Sequence, residues 1–230
     1  LYRAINNLHF RTKDAVVKQE MLLHEGDLYD PLLAEESERA LRRVLRLRDV
    51  RITPVPIDRD TVDLWVEAHD TWSTEPTLSL SGVGRDLSGK IGLRERNLLG
   101  YGKSGSFFYK KTAGAVGRSF SYADPNLLRS RMTLDMSYED NEDGTGRSLG
   151  IERPFYSSVT PWSLGANSLS DEREVKLYDM GREVGRLNQQ KREASLRYAH
   201  SLGSTPRRIR RAGIGYHYEH EVLSDILPAS

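Results

Sequence analysis

Apolar residues in this chain keep two different rhythms, and the change falls near Pro76. Ahead of it they recur at helical spacing and then alternate. Behind it they alternate almost throughout, in short runs punctuated by glycine. Residues 2–10 predict a strand. Residues 13–23 predict a helix with Thr12 as its N-cap and Asp14 in the first turn, where the positive end of the helix dipole favours an acid. Val17 and Met21 share one face of it, and Glu25-Gly26-Asp27 predicts the turn that follows. Pro31 opens a second helix, at the position where a missing N–H costs nothing. Leu33, Ser37, Ala40, Leu41 and Val44 form its packed face; Glu35, Glu36, Glu38, Arg39, Arg42 and Arg43 form the solvated one. Residues 50–55 and 61–68 predict a closing strand pair around Asp58-Arg59-Asp60. Pro54 and Pro56 have no N–H for a ladder, so the first of that pair is expected at an edge. The result is an α+β module over residues 1–72, ordered strand-helix-helix-strand-strand, with a core of Val17, Met21, Leu33, Leu41, Val44, Leu64 and Val66.

Residues 76–230 read as antiparallel strands. Leu78 and Leu80 alternate with Thr77, Ser79 and Ser81, and Asp86-Leu87-Ser88-Gly89 predicts a turn into a strand over residues 91–97. Leu98-Leu99-Gly100-Tyr101-Gly102 turns the chain into residues 104–111. Val116, Arg118, Phe120 and Tyr122 alternate with Gly117, Ser119 and Ser121 up to Asp124-Pro125-Asn126, expected to break the strand. Met132, Leu134, Met136 and Tyr138 face away from Thr133, Asp135 and Ser137. An acidic loop is expected over residues 139–146, and a long polar loop over residues 171–187 between strands at 162–170 and 194–202. Residues 207–218 form the last readable strand, giving about nine after Pro76.

The Gly- and Pro-marked turns (Leu99-Gly100, Asp124-Pro125, residues 156–161 and 203–206) fall on the side from which the first module enters. The acidic and the longest loops fall on the other. Membrane β-barrels carry short turns on one side, long loops on the other, and aromatic girdles at both interfaces. Tyr101, Tyr122, Tyr138, Phe155, Tyr156 and Trp162 gather near predicted strand ends. Lys110, Lys111, Arg94, Arg96 and Arg118 must then face the lumen or the strand ends, because a basic side chain in lipid at the midplane costs about 2–4 kcal/mol. Arg118 shares parity with Val116 and Phe120, which sets it against that rule. An incomplete barrel accommodates an odd strand number.

Composition agrees with this and excludes other classes. Hydrophobic residues make up 37% and mean hydropathy is −0.59, so no window approaches the roughly 18 apolar residues of a membrane helix. A net charge of +1 advertises no nucleic-acid partner. The chain has no cysteine, which removes disulfides, thiol catalysis and zinc-thiolate sites. Leu1 begins in a strand and residues 226–230 stop without a closing element, so both ends are expected to be cut ends. Gly102-Lys103-Ser104-Gly105-Ser106 does not meet nucleophile-elbow spacing. His217 and His220 would point to opposite faces of a strand, and Gly82-x-Gly84 lacks the third glycine and helix of a dinucleotide site. No catalytic residue, cofactor or metal is expected. The basic run Arg207-Arg208-Ile209-Arg210-Arg211 suits anionic lipid head groups or lumen charge better than nucleic acid, and a solvated strand end better than either.

Several segments carry a family resemblance. Ile5-Asn6-Asn7, Glu25-Gly26-Asp27-Leu28-Tyr29, Glu36-Ser37-Glu38-Arg39-Ala40-Leu41-Arg42, Val50-Arg51-Ile52 and Val62-Asp63-Leu64 resemble a POTRA domain in order and spacing. Asp70-Thr71-Trp72-Ser73 resembles the junction from a last POTRA domain into a barrel of the BamA/TamA outer-membrane superfamily. Arg96-Asn97-Leu98-Leu99-Gly100-Tyr101-Gly102 and Ala123-Asp124-Pro125-Asn126-Leu127-Leu128 resemble two of that family's turns. The family's late Val-Arg-Gly-Phe/Tyr motif does not occur in this chain.

The resemblance implies a non-enzymatic protein of the bacterial outer membrane, residues 1–72 in the periplasm, that inserts or exports client polypeptides. Its partners would be client outer-membrane or secreted polypeptides, periplasmic accessory proteins and outer-membrane lipid. An extended client would add to an exposed sheet edge by backbone hydrogen bonds. Ile5, Leu8 and Phe10 mark the expected docking edge of the first module. Thr77, Leu78, Ser79, Leu80, Ser81, Gly82, Val83 and Gly84 form the expected client-pairing strand, whose two glycines weaken its ladder. Two other classes stay open at this point: the membrane anchor of a self-secreting enzyme, and a soluble β-rich binding protein.

Overall fold

The computed structural model describes residues 10–83, 86–112, 115–205 and 208–228. The chain divides into two compact units: Leu1–Thr74 with Glu95–Ser104, and Glu75–Arg94 with Gly105–Ser230.

In the first unit, helices α1 (Asp14–Glu20) and α2 (Pro31–Val44) pack on a hairpin of β1 (Arg48–Pro56) and β2 (Val62–His69). Residues 2–9 of the strand expected ahead of them, with Ile5 and Leu8, lie outside the described residues; Phe10 is exposed and in no strand. Asp30 caps α2 by accepting from Leu32 N at 2.8 Å, and Pro31 fills the first turn. Met21, Leu23, Ala34, Leu41, Leu45, Leu47, Val50 and Ile52 form the core, with Val17, Leu33, Val44, Leu64 and Val66 packed against it.

Two expectations for this unit are corrected. The first helix ends at Glu20, because Met21 turns to extended backbone (φ −66°, ψ 147°) and residues 21–23 send both Met21 and Leu23 into the core. Thr12 caps nothing: Lys13 holds the N-cap position, while the Thr12 hydroxyl and amide donate to Asp70 Oδ1 at 2.5 and 3.1 Å. The polar face of α2 is also more than solvated surface. Glu38 accepts from Ile52 N at 2.9 Å and Arg42 donates to Val50 O at 2.9 Å, so α2 side chains occupy backbone groups on β1.

The second unit is one nine-stranded sheet in chain order: β3 (Thr74–Val83), β4 (Asp86–Glu95), β5 (Ser104–Thr112), β6 (Ala115–Leu127), β7 (Met132–Asn141), β8 (Gly144–Arg153), β9 (Trp162–Asp179), β10 (Arg182–Thr205) and β11 (Arg208–Pro228). The registered pairs from β6 to β11 are all antiparallel. Among the described residues the order ends at β3 and at β11, so the sheet is open.

Its connections invert the expected pattern. The acidic loop shrinks to Glu142-Asp143, and the long polar loop to Met180-Gly181, because the charged residues around them pair as strand. β9, β10 and β11 are 18, 24 and 21 residues long for that reason. The longer connections lie at the end where β3 begins: residues 96–103, 128–131 and 154–161. Asp124-Pro125-Asn126 does not break β6. The register with β7 slips between Asp124 and Leu127, a bulge that accommodates a residue without a ladder N–H. Asp86 to Gly89 likewise belong to β4 rather than to a turn.

The sheet has two chemically opposite faces. Residues directly opposite in an antiparallel ladder share a face. Tyr122, Met136, Leu149, Ser168, Ala194 and Tyr218 follow one another across β6 to β11, and Leu134, Ile151, Ala166, Leu196 and Tyr216 form the next row. The other face carries Ser106 bonded to Ser121 and Ser137 bonded to Ser148, both at 2.7 Å. On that face Glu152 reaches Arg197 at 3.8 Å across Gly165, and Lys191 holds Glu193 and Glu219 at 2.6 and 3.0 Å. Arg118 shares the apolar face with Phe120, but it stands opposite Asp140, beside the Glu142-Asp143 turn and away from the middle of the band.

Candidate functional site, a free strand edge and a pinned turn

Thr77, Leu78, Ser79, Leu80, Ser81, Gly82 and Val83 all lie in β3; Gly84 is outside the described residues. On one side β3 meets β4, where Glu75 pairs with Arg94 at 3.8 Å and a Cβ on Gly89 would lie 3.2 Å from Leu80 Cδ2. Along its other side no described strand pairs with it. Unpaired N–H and C=O groups along such an edge template a further strand. Gly82 sits at φ +155°, a backbone that side-chain-bearing residues rarely adopt, so the strand loses regularity near its C-terminal end. Leu78 and Leu80 are 75% and 79% exposed, leaving an apolar row beside the free edge.

The connection from β4 to β5 is part of the first unit and is fixed there by one buried side chain. Asn97, 6% exposed, donates from Nδ2 to Phe10 O at 3.1 Å and to Thr12 Oγ1 at 2.9 Å. Its Oδ1 accepts from Gly102 N at 2.8 Å. Thr12 in turn donates to Asp70, so three distant segments meet on one hydroxyl. Lys13 N donates to Gly100 O at 3.0 Å, and the Lys13 ammonium lies 3.5 Å from the Tyr101 ring centroid. Hydrogen bonding and charge from Lys13 hold the Tyr101 phenol below its ordinary range. Gly100 and Gly102 have φ of +79° and +68°. A Cβ on the first would lie 2.3 Å from Arg11 O, and on the second 2.5 Å from Leu45 Cδ2, so only glycine allows the turn to lie this close. The segment Asp70-Thr71-Trp72-Ser73 closes the knot: Thr71 Oγ1 donates to Arg46 O at 3.1 Å, Trp72 Nε1 to Thr74 O, and Ser73 O accepts from Arg96 N at 3.0 Å.

In sequence the turn over residues 96–102 carries a family resemblance, but nothing local gives Asn97 a role. The signal lay in an Asn ahead of Gly-x-Gly, a pattern that asks what the amide bonds. His217 and His220 pair with Ser195 and Arg192, which puts them on opposite faces of β11. Among the described residues no group of three or more His, Asp or Glu side chains is arranged to hold a metal, and no helix is long and apolar enough to cross a membrane. What this arrangement offers is backbone pairing along an edge.

The second unit is thus an antiparallel sheet with one apolar and one polar face, in which no described strand pairs with the outer side of β3. No protein-family model matches the chain. In sequence it resembles the outer membrane protein assembly factor BamA of Neorickettsia risticii (strain Illinois), with 37% identity over 93 residues, 39% of this chain and 12% of that protein. Among solved structures it is similar to the crystal structure of BamA from Haemophilus ducreyi lacking POTRA domains 1–3, at 14% identity and a TM-score of 0.48, over 91% of this chain and 54% of that one. The chain therefore spans about half of that solved protein. It is BamA-like.

Proposed function

We propose that this chain is the membrane-proximal part of an outer-membrane protein assembly factor. On this reading β3 to β11 form barrel wall in the bacterial outer membrane, and the first unit is a POTRA domain in the periplasm. Clients are other outer-membrane or secreted polypeptides, and they engage by adding a strand to β3. The observation that carries the reading is the outer edge of β3, which no described strand pairs, at the end of a sheet with one apolar and one charged face. An unpaired edge in lipid leaves every second backbone group without a hydrogen bond, a large penalty that an incoming strand removes. No covalent step is required, because the driving force is the pairing itself together with burial of the client in lipid.

Disulfide capture tests this. With Ser79→Cys in β3, a client carrying one cysteine in a terminal strand is expected to be trapped during assembly, and shifting the client cysteine by one residue should alternate strong and weak capture. Equal capture at Ser137→Cys, on a ladder-paired interior strand, would remove β3 as the working edge.

A further inference from the structure

We infer that the residue 154–161 connection and its flanking arginines form a binding site for the phosphate of an anionic phospholipid head group. This rests on the membrane reading above. Pro154-Phe155-Tyr156 leaves β8 and returns into β9 at Trp162. The loop has a fixed shape: Ser157 N and Oγ bond Thr160 Oγ1, both at 3.0 Å, and Ser201 N donates to Pro161 O at 2.7 Å. Thr160 is 1% exposed. Three guanidiniums from three hairpins converge on its aromatic residues. Arg131 lies 4.7 Å from the Tyr156 ring centroid, Arg153 lies 3.9 Å from Trp162 and 5.5 Å from Tyr156, and Arg211 lies 3.9 Å from Phe155.

A guanidinium stacked on a ring uses its flat face and keeps its edge donors available, in the fork that matches two phosphate oxygens. Arg153 uses part of that edge, donating to Trp162 O at 2.9 Å and to Tyr156 OH at 3.4 Å. Neither Arg153 nor Arg211 makes an ion pair among the described residues. Position selects the lipid. Arg153 stands opposite Leu164, which continues through Tyr198 to Ile214, so it lies on the apolar face itself. Trp162 is two pairs further towards the sheet end, on the same face. A Trp and an Arg at the margin of a lipid-facing band meet the head-group layer. The adjoining acid Glu152 faces away and is taken by Arg197.

The test uses the full-length protein in detergent, titrated with phosphatidylglycerol or phosphatidylcholine and read by native mass spectrometry. Phosphatidylglycerol should be retained preferentially, and Arg153→Gln should cut that preference about fivefold, the weight of one arginine at an anionic surface. Arg153→Lys keeps the charge without the stacked fork and should fall between; it also replaces the Gln variant if that fails to fold. Equal retention of both lipids, an unaltered preference in both variants, or full displacement by inorganic phosphate would overturn the proposal. Solubility of the intact protein without detergent would instead overturn the membrane reading beneath it.

Discussion

At the residue scale, the two positions that matter most to the first unit are an apolar one that periodicity exposes and a polar one that it hides. Leu41 is 0% exposed, between α1, α2 and the hairpin. Leu41→Ala should cost about 2–5 kcal/mol, as truncations of buried leucines do, measured by denaturant unfolding followed through Trp65 and Trp72. Asn97 is different, since its worth lies in partners brought from far along the chain. Asn97→Ala removes a donor from Phe10 O and Thr12 Oγ1 and an acceptor from Gly102 N, and leaves buried polar groups unmatched. It should cost about 1–3 kcal/mol and release the Gly102 amide to fast hydrogen exchange. An unchanged exchange rate there would mean the turn is held by its glycines alone. Leu41 was legible in the 3.6-residue pattern. Asn97 was not, because no local rhythm reports a contact with residues 10 and 12.

At the element scale, strand parity was legible and strand length was not. The alternation over Met132 to Tyr138 placed each side chain on its observed face, since a period of two needs no tertiary information. Residues 139–146 and 171–187 have the charge of loops. Their pairing shows that a strand outside an apolar band carries charge on either face without penalty: Arg186 bonds Glu174 and Glu183 at 3.0 and 2.5 Å within the extended β9–β10 hairpin. Beyond the band the faces even exchange character. Val175 and Leu187 are paired on the side that carries Ser137 and Glu152 lower down, while Glu174 and Arg186 take the other. β7 gives the sharper test. Met136→Arg puts a cation in the middle of the apolar face and should destabilise the membrane-inserted fold by about 2–4 kcal/mol, whereas Ser137→Arg on the polar face should be tolerated. Urea titration of protein refolded into vesicles measures both, and similar losses would argue against a lipid-facing side.

At the scale of the whole molecule, the change of rhythm near Pro76 was legible, but one element crosses it. The second unit is interrupted after Arg94, Glu95–Ser104 belongs to the first unit, and the second resumes at Gly105, which no pattern of polar and apolar residues announces. The larger claim is that β3 to β11 are bilayer wall. Met132 to Tyr138 cover about 20 Å at the rise of an extended strand, which fits within the roughly 25 Å height of a lipid-facing barrel band. Spin labels placed singly at residues 132 to 138 of the vesicle-inserted protein measure this directly, through collision with a lipid-soluble and a water-soluble relaxant. The account predicts period-two alternation, with labels at Leu134, Met136 and Tyr138 relaxed from the lipid and those at Thr133, Asp135 and Ser137 relaxed from water. Water-side relaxation at every position would contradict it.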